Sequence, residues 1–243
     1  MTALGILHPG HFAEDDYPRI EQLLGSDIRV DLVRTDAGED AYRAGAPLGS
    51  GSAERLAEGV ERLRLAGAET VVWASTCTGS PHGWEGAQEQ VRTLARLAGM
   101  PASSTSFAFV HAAREIGVRR VAVGAACPEE VTGRFADFLR AGGLEVTGVR
   151  SAGTATAAQA AAWGEEEVLA LARAADAPGA QAVVLPDTAL HTAAHLPMLE
   201  KALSKPVLTA HQVTVWEGLR LADRRVNAPV LGTLFTREPL VQA

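Results

Sequence analysis

A lone thiol, Cys77, ends the run Val71-Val72-Trp73-Ala74-Ser75-Thr76, and Thr78-Gly79-Ser80 follow it. Gly79, Pro81 and Gly83 then lead into a helical pattern from about Gly86. A thiol between a strand end and a helix start faces backbone N–H groups and the positive end of a helix, which lower its pKa and favour thiolate. The plainer reading of such a residue is a small buried hydrophobe. A partial echo stands 110 positions further on, Ala182-Val183-Val184-Leu185-Pro186-Asp187-Thr188, with Asp187 in the place of the thiol. Leu4-Gly5-Ile6-Leu7-His8-Pro9 and Arg120-Val121-Ala122-Val123-Gly124-Ala125 echo each other too, each opening a half. Two similar halves, each giving one active group, place a site in a cleft between them. The competing reading is that all strand–helix units look alike.

Other chemical patterns are weaker. His191 and His195 are four apart and can share a helix face, and with Asp187 they would make three metal ligands. The glutamate of the zinc-protease motif is missing and Pro197 follows closely, so metal is disfavoured. His191 is then a candidate site residue, and His195 is structural or exposed. No phosphate-binding loop and no Gly-x-Ser-x-Gly elbow occurs, and Gly49-Ser50-Gly51 lacks a preceding strand. His82 and Trp84 either flank a ligand or are ordinary turn and packing residues.

The elements that must position these residues are legible as alternation. Strand-like runs fall at Leu4–Leu7, Ile28–Val33, Thr70–Trp73, near Pro101–Ser103, Val121–Gly124, Glu145–Val149, Ala182–Leu185 and Pro206–Leu208. Between them lie helical stripes. Ser52 can cap a helix with Leu56, Val60 and Leu63 on one face. Pro128 with Glu129 and Glu130 opens a helix with Val131, Phe135, Phe138 and Leu139 inward, stopped by Gly142-Gly143. Glu165–Glu167 open another through Val168, Leu169 and Leu171. The alternation predicts an α/β fold with parallel sheets and helices on both faces. The pattern restarts near Ser103–Ser106, a crossing into a second half. Gly38–Ser52 is glycine-rich and aperiodic, either a lid or an ordinary surface loop.

The chain has 243 residues, 47% of them hydrophobic, enough for one large or two small cores. Formal charge is −7 and the only lysines are Lys201 and Lys205, which argues against nucleic acid and anionic membrane as partners. Two cysteines imply no disulfide framework, and neither a signal-type N-terminus nor a spanning apolar run is present, so a soluble cytoplasmic protein is expected.

The stretches around Cys77 (Ala74–Ser80), Gly5–Pro9, Ser103–Gly124, and Pro206-Val207-Leu208-Thr209-Ala210-His211-Gln212 leading to Trp216 and Leu219-Arg220 together resemble the aspartate/glutamate racemase superfamily, in its maleate cis-trans isomerase and arylmalonate decarboxylase branch. The resemblance implies two pseudo-symmetric Rossmann-like halves with an interdomain active-site cleft, divided as residues 1–105 plus 212–243 and residues 106–211. It implies no metal and no organic cofactor, a small carboxylic-acid substrate, and leaves a homo-oligomer open. In this family two cysteines commonly face each other across the cleft, and the decarboxylase keeps only the second-half one. Cys77 matches the first-half position. The second falls on Asp187, and a tyrosine that helps bind the substrate carboxylate falls on Cys127. The opening loop, usually rich in hydroxyl and amide groups, reads His8-Pro9-Gly10-His11.

Cys77 and Asp187 are thus the expected catalytic pair. Thr78, Gly79 and Ser80 would bind a carboxylate through backbone N–H and hydroxyl groups. His8, His11, Cys127, Thr188, His191 and His211 complete the expected binding set. Cys77 could add to an activated double bond that then rotates, or move a proton beside a carboxylate. Asp187 could act as acid or base, with its pKa raised in a dry cleft; its plainer reading is a loop aspartate held by local backbone. The leading expectation is a cofactor-independent isomerase of the maleate type. Decarboxylation of a malonate-type acid or racemisation through Cys77 is the alternative, and a ligand-binding protein on a degenerate scaffold is the third.

Overall fold

The computed structural model describes residues 1–10, 12–25, 27–35, 52–76 and 83–236. Its first half alternates β1 (Thr2–His8), α1 (Asp16–Leu24), β2 (Ile28–Arg34), α2 (Ser52–Leu65), β3 (Thr70–Trp73), α3 (Gly83–Ala98) and β4 (Ala102–Ser104). Then α4 (Thr105–Glu115) leads to β5 (Arg120–Ala125), α5 (Glu129–Ala141), β6 (Glu145–Ser151), α6 (Ala157–Ala161), α7 (Glu165–Ala175), β7 (Ala182–Leu185), α8 (Leu196–Leu203), β8 (Val207–Thr209) and α9 (Ala210–Leu221). The strands form two parallel four-stranded sheets of the same order, β2-β1-β3-β4 and β6-β5-β7-β8. Each of the eight expected strands is present, and the helix expected from Gly86 begins three residues earlier, at Gly83. The glycine-rich stretch Gly38–Ser52, read as either a lid or an ordinary surface loop, lies outside the described residues except for Ser52.

The sequence dictates this arrangement through burial. β3 and β7, Thr-Val-Val-Trp and Ala-Val-Val-Leu, are buried at every position, as strands covered on both faces must be. The stripe on α2 closes over the first sheet's outer face, with Val60 and Leu63 packed on Leu7, Val71 and Trp73. Helix α7 does the same in the second half, packing Val168, Leu171 and Ala172 in one cluster with Val183 and Leu185. The opening strand of each half needs a glycine there. A Cβ on Gly5 would stand 3.0 Å from Leu63 Cδ1 and 2.9 Å from Thr70 O, and one on Gly124 2.8 Å from Ala175 Cβ.

The inner faces of the two sheets share a single core. It joins Leu4 and Ile6 of β1, Val121 and Val123 of β5, Val184 and Leu208, through Phe107, Phe109, Val213 and Leu219 of α4 and α9. Helix α9 leaves the last strand of the second sheet and packs on α4 and on β3, α1 and β1 of the first half. Trp84 belongs to this core: its ring lies 4.8 Å from Phe107 and 4.9 Å from Phe138, which makes it a packing residue.

Candidate active site

The C-terminal ends of β3 and β7 meet. Thr76 Oγ1 donates to Pro186 O at 2.9 Å, and the two residues are 110 apart, the same offset that separates Cys77 from Asp187. Ser106 Oγ, in the first turn of α4, donates to Ser75 O at 3.2 Å and Thr76 O at 3.1 Å. The backbone immediately before Cys77 is therefore tied both to the first turn of α4 and to the residue before Asp187. Cys77 itself, with His11, Thr78, Gly79, Ser80 and His82, lies outside the described residues.

Asp187 is 2% exposed. Its Oδ2 accepts from the Ala126 N–H at 2.8 Å and its Oδ1 from the Cys127 N–H at 3.3 Å, both at the end of β5. Two backbone donors on one carboxylate complement its negative charge. The same turn is held from behind, with Ser151 Oγ on Cys127 O at 2.7 Å and Thr154 Oγ1 on Ala126 O at 2.8 Å. Cys127 is fully buried, its Sγ 3.3 Å from Thr132 Oγ1, within the second half's own core. Thr188 is half-buried.

His8, at the end of β1, and His211, at the start of α9, come together as stacked rings with centroids 6.3 Å apart. Tyr17 stands edge-on to both, at 5.8 Å and 4.9 Å. Burial, and then the neighbouring His211, lower the His8 pKa to about 4, although the Gly10 and Thr188 backbones pull the other way, so the ring is neutral near pH 7. The His8 Nδ1 lies 3.0 Å from Gly10 O. Burial pushes the Tyr17 phenol above its ordinary range and keeps it protonated. Asp16 lies beneath His211, whose Nδ1 is 3.3 Å from Asp16 Oδ2 and off the line of a hydrogen bond. Burial alone would raise the Asp16 pKa; His211 and the N–H groups of Thr192 and Ala193 outweigh it and hold it at about 2. Among the described residues, buried side-chain polar atoms of His8, Tyr17, Thr192 and His211 have no hydrogen-bond partner here.

The histidine pair separates. His191 Nε2 is 2.8 Å from Asp15 Oδ1, and His195 Nδ1 is 3.3 Å from Glu165 Oε2. With Asp187 taken by backbone N–H groups, the two histidines and Asp187 do not converge, and among the described residues no cluster of three metal-ligating side chains forms. Asp16, Tyr17 and Thr76 are the residues that sequence reasoning passed over. The signal available for Thr76 was its place before Cys77, at the repeat offset from Pro186; for Asp16, the acidic pair heading a helix just after the β1 loop.

The family model described as arylmalonate decarboxylase matches residues 50–235. Arylmalonate decarboxylase of Bordetella bronchiseptica is 30% identical over 186 residues, covering 75% of this chain and 77% of that protein. A liganded structure of an arylmalonate decarboxylase double mutant, one glycine replaced by cysteine and one cysteine by serine, is 25% identical with a TM-score of 0.81, covering 97% of this chain and 99% of that one. A cysteine-to-serine mutant of the Nocardia farcinica maleate cis-trans isomerase, solved with a covalently bound succinylcysteine intermediate, shares the fold at 19% identity and a TM-score of 0.84, over 98% of this chain and 99% of that one.

Proposed function

We propose a function from one premise: the chain belongs to the arylmalonate decarboxylase family. On this reading it is a cofactor-independent decarboxylase of a small malonate-type acid, and Cys77 is its proton donor. The observation that carries the reading is the pair of backbone N–H groups on Asp187. A decarboxylase needs one proton donor at the reacting carbon. The maleate-type isomerase favoured on sequence grounds asks for a nucleophile on one side and a proton carrier on the other. Asp187, its two oxygens engaged by Ala126 and Cys127, is better suited to shaping the second-half wall than to shuttling a proton.

The chemistry runs as follows. The bond between the substrate's central carbon and one carboxylate breaks, carbon dioxide leaves, and the electron pair passes into the remaining carboxylate as an enediolate. Backbone N–H groups and hydroxyls of Thr78, Gly79 and Ser80 stabilise that charge. The Cys77 thiol gives its proton to the carbon and recovers one from solvent. Thr76, bonded to Pro186 O, fixes the strand end from which Cys77 continues.

The test is a panel of aryl- and alkylmalonates, maleate and amino acids in D₂O, followed by proton NMR and carbon dioxide release. Carbon dioxide with one deuterium at the product's α-carbon, both abolished by Cys77→Ser, is expected. Conversion of maleate to fumarate without gas would replace decarboxylation by the isomerase reading. Binding without turnover across the panel would mark a ligand-binding protein.

A further inference from the structure

Helix α1 of the first half reaches the second half at its N-terminus. Asp16 is 2% exposed, and its Oδ2 accepts from the N–H groups of Thr192 at 2.7 Å and Ala193 at 2.9 Å. Asp15, beside it, meets His191. Thr192 and Ala193 belong to the connection between β7 and α8, which begins Pro186-Asp187-Thr188 and forms neither helix nor strand before Leu196. The backbone bonds within it are few, Leu190 N–H to Asp187 O at 3.4 Å and His195 N–H to Thr192 O at 3.0 Å. Such a segment takes its shape from what grips it. Asp187 grips the β5 turn from within the second half, Thr76 of the first half holds the segment's start at Pro186 O, and Asp16 of the first half holds its far part at residues 192 and 193. A buried carboxylate bonded to two backbone donors is a strong grip, because leaving any of the three groups unpaired is costly.

We propose that Asp16 is a positioning residue: its carboxylate holds the connection of residues 186–195 against the first half, and so sets where Asp187 and Thr188 stand relative to the strand end that carries Cys77. The proposal rests on the decarboxylase reading for the reaction it serves, while the grip itself is independent of that reading.

Both N–H groups bond to a single oxygen, which separates the variants. Asp16→Asn can keep a carbonyl oxygen at that point; Asp16→Ala cannot; Asp16→Glu keeps the charge but displaces the oxygen by a methylene. Amide exchange of residues 188–193 and steady-state decarboxylation are measured on each full-length variant. Asp16→Asn should keep both exchange and kcat within about fivefold of the wild type, since the acceptor survives and only its charge is lost, at about 1 kcal/mol. Asp16→Ala should speed exchange of this segment by about tenfold or more, and lower kcat by about tenfold or more with KM changed less than threefold, because misplacement is felt in the transition state. If Asp16→Ala does not fold, Asp16→Glu should show the same split with a native circular dichroism spectrum. Unchanged exchange in Asp16→Ala or Asp16→Glu overturns the grip, and faster exchange with unchanged kcat overturns its role in positioning. A wild-type protein without turnover fails the decarboxylase reading, and the exchange measurement then supports or overturns the grip alone.

Discussion

Replacing Asp187 by asparagine separates the two roles open to this residue. The carboxylate accepts from Ala126 N–H at 2.8 Å and from Cys127 N–H at 3.3 Å. Asparagine offers one oxygen and one NH₂ group. Its oxygen can keep the shorter bond, now neutral, at a loss of about 1 kcal/mol, the difference between charged and neutral hydrogen bonds. Its NH₂ then faces the Cys127 N–H, donor against donor, leaving a buried N–H unpaired at about 1–3 kcal/mol. The sum is about 2–4 kcal/mol of folding stability, read as a fall in the urea midpoint at pH 7 with an unchanged slope. If Asp187 shapes the wall, kcat should fall about tenfold or less, since the proton still comes from Cys77. Stability within about 0.5 kcal/mol of the wild type would refute the energetic argument, because that is the ordinary effect of an inconsequential surface change. A kcat loss as large as that of Cys77→Ser, with stability intact, would make Asp187 the second proton carrier and return the mechanism to two sides.

Three further outcomes are expected. Cys77→Ser should lower turnover by roughly a thousandfold or more without unfolding the protein, and iodoacetamide should label Cys77 well before Cys127, which is fully buried; equal labelling with no protection by substrate would count against a reactive Cys77. His8, depressed to about pKa 4 by burial and by His211, stays unprotonated in the folded state while the unfolded chain takes up a proton near pH 6.5. Its contribution is thus present above pH 6.5 and lost as pH falls through 4, about 3 kcal/mol in all; His8→Asn should flatten that slope in urea titrations, and an unaltered slope would disprove the assignment. Thr76→Val, which deletes the bond to Pro186 O, should cost about 1 kcal/mol and lower kcat several-fold, with Thr76→Ser restoring both; equal kinetics for the valine and serine variants would show that the bond does not position the site.

The eight strands were legible because strand formation is recorded locally. Val-Val and Val-Val-Leu runs, Pro128 before Glu129-Glu130, and Glu165–Glu167 carry their own burial and capping preferences within a few residues. The paired halves were legible for the same reason, since a repeated strand ending repeats its side chains. The expectation that Cys77 follows a strand came from its neighbours too, and β3 ends at Trp73, four residues before it.

The partners of the charged groups were not legible, because those partners are set by which strand ends and loops the folded chain brings together. Asp187 is held by backbone 60 and 61 residues away, and Asp16 by backbone 176 and 177 away. Backbone N–H groups carry no residue-specific signal, so nothing at Ala126, Cys127, Thr192 or Ala193 announces that it will meet a carboxylate. The acidity of a group has the same origin. His8 is neutral because β1, α1 and α9 close over it together, and Asp16 is ionised because His211 and two N–H groups outweigh its burial. The chain's local pattern determined two α/β halves and a thiol following a strand run; only tertiary packing, within the second half for Asp187 and between the halves for Asp16, decided that these carboxylates would be gripped by backbone, since charge in a buried site is governed by what surrounds it in space.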